Sequence, residues 1–207
     1  MNDKLLWCVK FPSIRCDTDP FITWEVEDHL GGGTFGQVVK VKTAAGQVMA
    51  AKICLVEDEE ELERFSAEVD IMARLRHRNI VRLYDSCYHR HDLWMFLELS
   101  QASLDRVVAT LARGLGEQEI VAVCRQMAGA VEYLHNNRII HRDIKAGNVL
   151  VTAEGEVKLT DFGVAAELES FDGRRTEFIG TPHWMAPEVV RCRTFTDATY
   201  DRKVRGV

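Results

Sequence analysis

The sequence predicts an α+β fold in which a strand-rich first half, with one helix, precedes a helix-rich second half. Apolar runs of strand length crowd residues 21–99, whereas the longest helical periodicity lies later, at residues 117–136. The chain of 207 residues is 46% hydrophobic and 28% charged, which is typical of a globular protein with one or two cores. Strands first and helices later is therefore the predicted order.

The first half begins with a lead-in to about residue 20, after which a strand enters the glycine-rich segment GGGTFG at residues 31–36. The predicted strands cover residues 21–30, 37–42, 48–54, 83–89 and 93–99. Between the third and fourth of them, residues 58–76 carry apolar side chains at three- and four-residue steps. Acids crowd the start of that segment and arginines its end, as the dipole of an α-helix favours.

A short hairpin follows the long helix of the second half. Its predicted strands, residues 149–152 and 157–160, flank a turn at Gly155. The hairpin places Asn148 directly before one strand and Asp161 directly after the other. We therefore expect these two polar side chains at one end of a small ribbon.

Charge and composition exclude several classes of protein. The net charge is −6, the pI is near 5.7, and the basic residues are scattered, so nucleic acid is not an expected ligand. The six cysteines show no CxxC pairing, which favours buried, reduced thiols over disulfides or a zinc site. No stretch approaches the roughly 20 apolar residues of a membrane span, and we expect a cytoplasmic protein.

The glycines of residues 31–36 follow a GxGxxG pattern that has three interpretations. A dinucleotide-binding fold requires a helix directly afterwards, but β-branched residues beginning at Val38 predict a strand instead. The pattern then indicates a hairpin loop that covers a nucleotide, with backbone amides near its phosphates. An ordinary flexible hairpin remains the alternative for the loop taken alone.

Two charged residues in the first half are predicted to form an ion pair. Lys52 lies inside an apolar strand, on the same face as Ala50, where an ammonium group needs a permanent partner. Glu68 lies beside the apolar stripe of the following helix. Each charge alone is typical of a solvated surface, but their order after a glycine loop indicates a pair that binds the α- and β-phosphates of a nucleotide.

The second half carries the motif HRDIKAGN at residues 141–148, followed by Asp-Phe-Gly from Asp161. Asp143 is predicted to accept the proton of a substrate hydroxyl, and Lys145 to neutralise the transferring phosphate. Asn148 and Asp161 are predicted magnesium ligands, because amide and carboxylate oxygens suit that ion. The set indicates phosphoryl transfer.

These motifs resemble the eukaryotic protein kinases over roughly residues 21–203. Lys145 and Thr181 are similar to the serine/threonine class of that family. The strings GTPHWMAPE at residues 180–188 and NIV at residues 79–81 resemble the sterile-20 family, especially its germinal-centre branch. The resemblance implies a non-specific serine/threonine protein kinase that takes part in signalling.

The resemblance also implies a bilobal fold. It assigns residues 1–20 to an N-terminal extension and residues 21–100 to an N-lobe and hinge, with an antiparallel sheet and one helix. Residues 101–207 would form a mainly helical, incomplete C-lobe that ends after the activation segment.

From this ending we expect weak or no kinase activity in the isolated chain. The alternative function is a truncated, catalytically weak regulatory module that binds nucleotide or dimerises.

Specific nucleotide contacts are implied by the same resemblance. Leu97 would be the gatekeeper, residues 98–100 the hinge, and Ser103 a neighbour of the ribose. The implied nucleotide contacts are Leu30, Gly31, Gly33, Gly36, Val38, Ala50, Lys52, Leu97, Glu98, Ser100, Ser103 and Leu150. The implied regulatory spine is Met72, Leu83, His141 and Phe162.

Cofactors, partners and regulation follow from the family pattern. ATP and Mg²⁺ are the implied cofactors, protein substrates the implied partners, together with a homodimer formed through the activation segment. Arg142, beside the catalytic Asp, implies control by phosphorylation of that segment. Thr176 is the first candidate phosphate acceptor and Thr181 the second. Glu177 stands where relatives tend to carry Ser or Thr, so a built-in partial activation is a further hypothesis.

Overall fold

The computed structural model describes residues 10–16, 18–33 and 36–203. These residues form two compact units. The first contains the described residues up to Arg76 together with Val81–Ser100, and the second contains His77–Ile80 and the described residues from Gln101 onward. Within the described part of the chain, no helix combines the length and apolar composition that crossing a membrane requires.

A five-stranded antiparallel sheet forms the first unit, in the spatial order β1-β2-β3-β5-β4. Its strands are β1 (Glu25–Gly33), β2 (Gly36–Lys42), β3 (Val48–Leu55), β4 (Leu83–His89) and β5 (Asp92–Leu97). Two-residue alternation of apolar side chains and β-branched residues in these segments explain the pairing. The predicted strands match these positions closely except at the start of β1.

Residues 21–23 were predicted as strand, and that prediction is wrong. They belong to a short helix, α1 (Pro20–Thr23), in which Pro20 occupies the first turn and the Asp19 side chain accepts a hydrogen bond from Phe21 N at 3.0 Å. Proline at the first helical position and Asp at the cap are both strong start signals. The first strand therefore begins only at Glu25.

Helix α2 (Glu59–Arg74) packs against strands β4 and β5. The Asp58 side chain caps it by accepting from Glu61 N at 2.8 Å, and three acids fill its first turn. Its apolar stripe is buried, as predicted. The buried apolar side chains of α2 are Leu62, Phe65, Val69, Ile71 and Met72.

The two faces of the sheet have separate cores. Lys52 on β3 lies opposite Met95 on β5, so both side chains are on the same face of the sheet. Lys52 contacts Glu68 of α2, and this face is therefore the one that the helix covers. The alternating side chains point to the other face. There a buried cluster consists of Val39, Val41, Met49, Ala51, Ile53, Cys87, Trp94 and Phe96, with Trp24 packed against it.

The second unit is built around α4 (Glu117–Asn136), whose observed bounds are those of the predicted periodicity. The hairpin of β8 (Val149–Val151) and β9 (Val157–Leu159) is also present, and β6 (Ala102–Ser103) extends it to three strands. Additional short elements are α3 (Leu104–Thr110), β7 (Ile139–Ile140), β10 (Ala166–Glu167) and α5 (Pro187–Arg191). Short 3₁₀ turns cover Ala146–Asn148 and Pro182–Trp184.

Exposure along α4 is uneven. Leu134 and Ala130 are buried, but Ile120 is 47% exposed and Cys124 is exposed. The thiols that the structure describes are free, in agreement with the sequence, and Cys54 and Cys87 are buried. Cys16 and Cys192 are half-buried, and the prediction that the thiols are buried is wrong for Cys124, whose side chain lies on the solvent-facing side of α4.

Candidate active site

The first unit contains a Lys-Glu ion pair between its sheet and its helix. Lys52 Nζ lies 2.8 Å from Glu68 Oε1 and 2.9 Å from Oε2, so the ammonium contacts both carboxylate oxygens. The carboxylate is nearly closed to solvent, with a side chain 2% exposed, while the Lys52 side chain is 16% exposed. Burial makes each charge depend on the other. The ion pair therefore holds the ammonium at a fixed place on the face of the sheet that α2 covers.

Predicted nucleotide contacts of this unit share the same face of the sheet. Val38 pairs with Lys52, and Ala50 pairs with Leu97, so cross-strand register puts these four side chains on the face of the ion pair. Leu97 is 7% exposed at the end of β5. The register therefore gathers an apolar surface next to the buried ion pair.

The glycine-rich segment closes the β1–β2 hairpin. Gly31 pairs with Val38 and Gly33 with Gly36, while residues 34 and 35 lie outside the described residues. Gly36 has φ +129°, and a Cβ there would stand 2.0 Å from Ile53 O, so no other residue fits without moving the backbone. Leu30 and Gly31 precede this point on β1.

Asp143 lies at the centre of the second unit's polar cluster, in the loop between β7 and the 3₁₀ turn. Its Oδ1 accepts from Thr181 Oγ1 at 2.6 Å and from Thr181 N at 3.0 Å. Its Oδ2 accepts from Lys145 Nζ at 2.8 Å and from Asn148 Nδ2 at 2.9 Å. Lys145 Nζ also donates to Thr181 Oγ1 at 2.8 Å, so Asp143, Lys145 and Thr181 form a ring of hydrogen bonds.

The pKa of Asp143 is lower than that of an ordinary aspartate. Burial acts to raise it, but the hydrogen bonds from Lys145 and Thr181 and the charge of Lys145 outweigh burial. The carboxylate is consequently ionised at neutral pH. It can accept a hydrogen bond from a hydroxyl group that approaches the loop.

Asn148 and Asp161 are held close together by the β8–β9 hairpin, since Thr160 N donates to Asn148 O at 3.0 Å. Asn148 is buried, and both hydrogen bonds of its amide nitrogen go to Asp143, one to the backbone oxygen at 2.8 Å. Both hydrogen bonds of the amide nitrogen are therefore used within the loop, and Asp161 follows the hairpin with φ +65°. An amide oxygen beside a carboxylate fits the oxygen chemistry that Mg²⁺ requires.

A site in which protein side chains alone hold a metal would need three or more ligands close together. Among the described residues, no group of three or more His, Cys, Asp or Glu side chains is arranged to hold a metal.

His141 and Phe162 support the loop from within. Their ring centroids lie 4.8 Å apart at an interplanar angle of 73°. His141 Nε2 donates to Thr160 O at 2.9 Å, which leaves Nδ1 to accept from Asp143 N at 3.3 Å. Burial lowers the pKa of His141, so the neutral ring keeps both roles.

Thr181 was predicted only as a class marker and second phosphate acceptor, and the sequence missed its contacts with Asp143 and Lys145. Gly180 makes those contacts possible, because its φ is +130° and a Cβ there would stand 2.5 Å from Arg142 O. The glycine directly before Thr181 is the sequence signal that could have indicated this close approach to the loop of Asp143. Thr176, in contrast, is exposed, and its backbone N–H donates to Glu177 Oε2 at 3.0 Å.

Arg142 contacts the segment that holds Thr181. Its Nη1 lies 3.6 Å from Glu177 Oε1, and Arg175 Nη1 lies at the same distance of 3.6 Å. Tyr200 Oη donates to Glu177 O at 3.0 Å. Burial acts to raise the pKa of Glu177, but backbone N–H donors and the two arginines lower it overall. An anionic Glu177 thus joins two arginines.

The remaining predicted contacts are divided between the units. Glu98 N donates to Arg82 O at 2.9 Å in the first unit, and Ser100 ends that unit. Ser103 pairs with Leu150 across β6 and β8 in the second unit. Ser103 also begins helix α3 as its N-cap residue.

A strand-borne Lys-Glu pair, a glycine-closed hairpin and an Asp-Lys-Asn loop are the parts that protein kinases use. The sequence pattern of the protein kinase domain matches residues 24–204. This chain therefore belongs to the protein kinase family, and the predicted protein kinase-like α+β fold is confirmed.

Among individual proteins, the chain is similar to several serine/threonine-protein kinases. The chain is 47% identical over 196 residues to serine/threonine-protein kinase 10-A of Xenopus laevis, covering 94% of this chain and 21% of that protein. Human serine/threonine-protein kinase 10 is 46% identical over 196 residues, which is 94% of this chain and 20% of the relative. Serine/threonine-protein kinase dst1 of Dictyostelium discoideum is 41% identical over 178 residues, 84% of this chain and 24% of the relative. The chain thus spans about a fifth to a quarter of the length of these curated relatives.

Proposed function

We propose that this chain is the catalytic part of a serine/threonine protein kinase, which transfers the γ-phosphate of ATP to protein hydroxyl groups. The observation that carries the proposal is the Asp143 cluster. In this cluster the ionised Asp143 carboxylate can accept a hydrogen bond from a substrate hydroxyl, and the Lys145 ammonium lies 2.8 Å away. Asn148 and Asp161, the predicted magnesium ligands, belong to the same region of the chain. Relatives with serine/threonine kinase names support the same class.

Each residue of the set has a separate role in the proposed reaction. Asp143 would orient the substrate hydroxyl and accept its proton, while Lys145 would neutralise charge on the transferring phosphate. Lys52, held by Glu68, would bind the α- and β-phosphates. The glycine-closed hairpin would cover the phosphates, and the apolar surface of Val38 and Ala50 would contact the adenine.

Magnesium, when bound with ATP, neutralises charge on the phosphates. Asn148 would present its amide oxygen to the ion and Asp161 its carboxylate. The two hydrogen bonds from the Asn148 amide nitrogen to Asp143 would fix that oxygen in place.

A finer assignment rests on the motifs. We infer membership of the germinal-centre branch of the sterile-20 family, near the sterile-20-like and lymphocyte-oriented kinases. The identity of 46–47% to the serine/threonine-protein kinase 10 proteins supports it. A cytoplasmic location, protein substrates and a homodimer formed through the activation segment belong to the same proposal.

Phosphate transfer by the purified chain tests this function. We expect slow incorporation of radioactive phosphate from MgATP into a general protein substrate such as myelin basic protein, on Ser or Thr, at a rate well below that of a full-length relative. Asp143→Asn should lower kcat by roughly 100-fold or more, since removal of an interaction at the reacting group commonly costs that much. Equal activity in the wild-type chain and in Asp143→Asn would contradict the proposal.

A further inference from the structure

The described residues 10–16 and 18–24, here called the strap, begin beside helix α2. Lys10 Nζ donates to Glu59 Oε1 at 2.6 Å and to Glu63 Oε1 at 2.7 Å. The two acids lie four residues apart on the helix, so they face the same side. The strap thus contacts the amino-terminal turns of α2 through one cation and two carboxylates.

The strap ends on the opposite face of the sheet. Phe21 lies against Trp94 with ring centroids 5.3 Å apart, and Trp24 stacks on Phe96 at 5.0 Å. Trp94 and Phe96 point away from the face that α2 covers, because neighbouring strand residues alternate and Met95 faces the helix side. The strap therefore reaches from the helix to the far core of the same unit.

Between these two ends the strap is fixed to the edge of strand β4. Arg15 N donates to Ser86 O at 3.1 Å, and Tyr88 N donates to Arg15 O at 2.8 Å. Ser86 Oγ donates to Ser13 O at 2.7 Å, and Ile14 is only 4% exposed. The lead-in is thus part of the unit's structure, although the kinase pattern begins only at residue 24.

We propose that the strap is a positioning element that holds α2 where Glu68 contacts Lys52, and that it thereby sets the affinity of the chain for MgATP. The ion pair depends on where α2 lies, since Glu68 is on the helix and Lys52 is on the sheet. Glu63 is five residues before Glu68 on one continuous helix, so a displacement at the first end would be transmitted to the second. The part that concerns MgATP rests on the proposed function.

Charge reversal at Lys10 tests the proposal in the full chain. Lys10→Glu should speed amide hydrogen exchange in peptides that cover α2. It should also raise the Kd for MgATP by about 3- to 10-fold, because two exposed ion pairs become repulsive contacts. The matched control is Lys40→Glu, which breaks a similarly exposed pair to Glu27 Oε2 at 2.9 Å between β1 and β2. The control should leave the exchange of α2 unchanged.

Rescue separates positioning from general destabilisation. Lys10→Glu combined with Glu59→Lys and Glu63→Lys should restore slow exchange in α2 and the wild-type Kd for MgATP. If Lys10→Glu fails to fold, Lys10→Gln serves for the same comparison. Unchanged exchange of α2, an equal effect of the Lys40→Glu control, or no rescue overturns the strap's role.

The two proposals can fail separately. A wild-type chain that neither binds MgATP nor transfers phosphate would refute the proposed function, while exchange in α2 would still decide whether the strap holds the helix.

Discussion

Asp143 accepts hydrogen bonds from three residues, and its lowered pKa limits how it can act. A strong general base has a pKa near the working pH, whereas this carboxylate remains ionised and binds protons weakly. Phosphoryl transfer through a loose transition state demands little proton abstraction before the phosphate moves. In the proposed reaction, Asp143 would therefore orient the hydroxyl and take its proton late.

Thr181 helps to orient Asp143, because its hydroxyl donates to the carboxylate and accepts from Lys145. We expect Thr181→Val to lower kcat by about 10-fold or more, since a hydrogen bond to a charged group is worth about 1.5–3 kcal/mol. Thr181→Ser keeps the hydroxyl and should retain most of the activity. Steady-state kinetics with MgATP would check both, and a Val variant with wild-type kcat would refute this role.

His141 predicts a pH dependence of stability. Its folded pKa is lowered from 6.5 by burial, so the unfolded chain takes up a proton first as the pH falls. Its contribution is fully present above about pH 6.5 and is lost as the pH falls from there toward the folded pKa. The melting temperature should decrease between pH 7.5 and 5.5.

His141→Gln is the control for that decrease. The variant keeps a side-chain donor but does not titrate in this range, so its melting temperature should depend less steeply on pH. His77 and His135 also have lowered pKa values through burial and leave a residual slope. Equal slopes in the wild-type chain and in the variant would exclude a contribution from His141.

At the scale of elements, the Glu177–Arg142 ion pair links the segment from β10 to α5 to the loop of Asp143, and Arg175, within the segment, contacts the same carboxylate. A carboxylate in this place supplies part of the negative charge that a phosphate would bring. We expect Glu177→Ala to lower kcat several-fold in unphosphorylated protein, and Glu177→Gln to do the same. Mass spectrometry would establish that no phosphate is present.

Thr176→Ala is the companion variant. If phosphorylation of Thr176 alone controls the segment, Thr176→Ala lowers activity while Glu177→Ala does not, and built-in activation by Glu177 is then excluded.

Sequence periodicity predicted the long elements well and the short ones poorly. The bounds of α4 were correct because its helical pattern extends over many turns, whereas the two-residue strands β7 and β10 exist only through their pairing with each other. The strand predicted from residue 21 is wrong because Asp19 and Pro20 form a helix start signal that outweighs the apolar run after them. Thr181 and Asp143 are 38 residues apart, and nothing local reveals their contact.

At the scale of the whole molecule, the predicted nucleotide contacts belong to both units. Binding of MgATP should raise the melting temperature of the chain by an amount that grows with ligand concentration. Lys52→Met should reduce the shift strongly. Differential scanning fluorimetry with and without MgATP checks this, and no shift in the wild-type chain would contradict nucleotide binding.

The strap has a consequence for solubility as well. A sheet with free outer strands offers unpaired backbone groups to other chains, which invites aggregation. Here Ser13 and Arg15 occupy one margin, at β4, while the other margin, β1, carries the acids Glu25, Glu27 and Asp28. The polypeptide itself covers the β4 margin, and pairing at the β1 margin would have to remove charged side chains from water, so intermolecular β-pairing is discouraged on both sides.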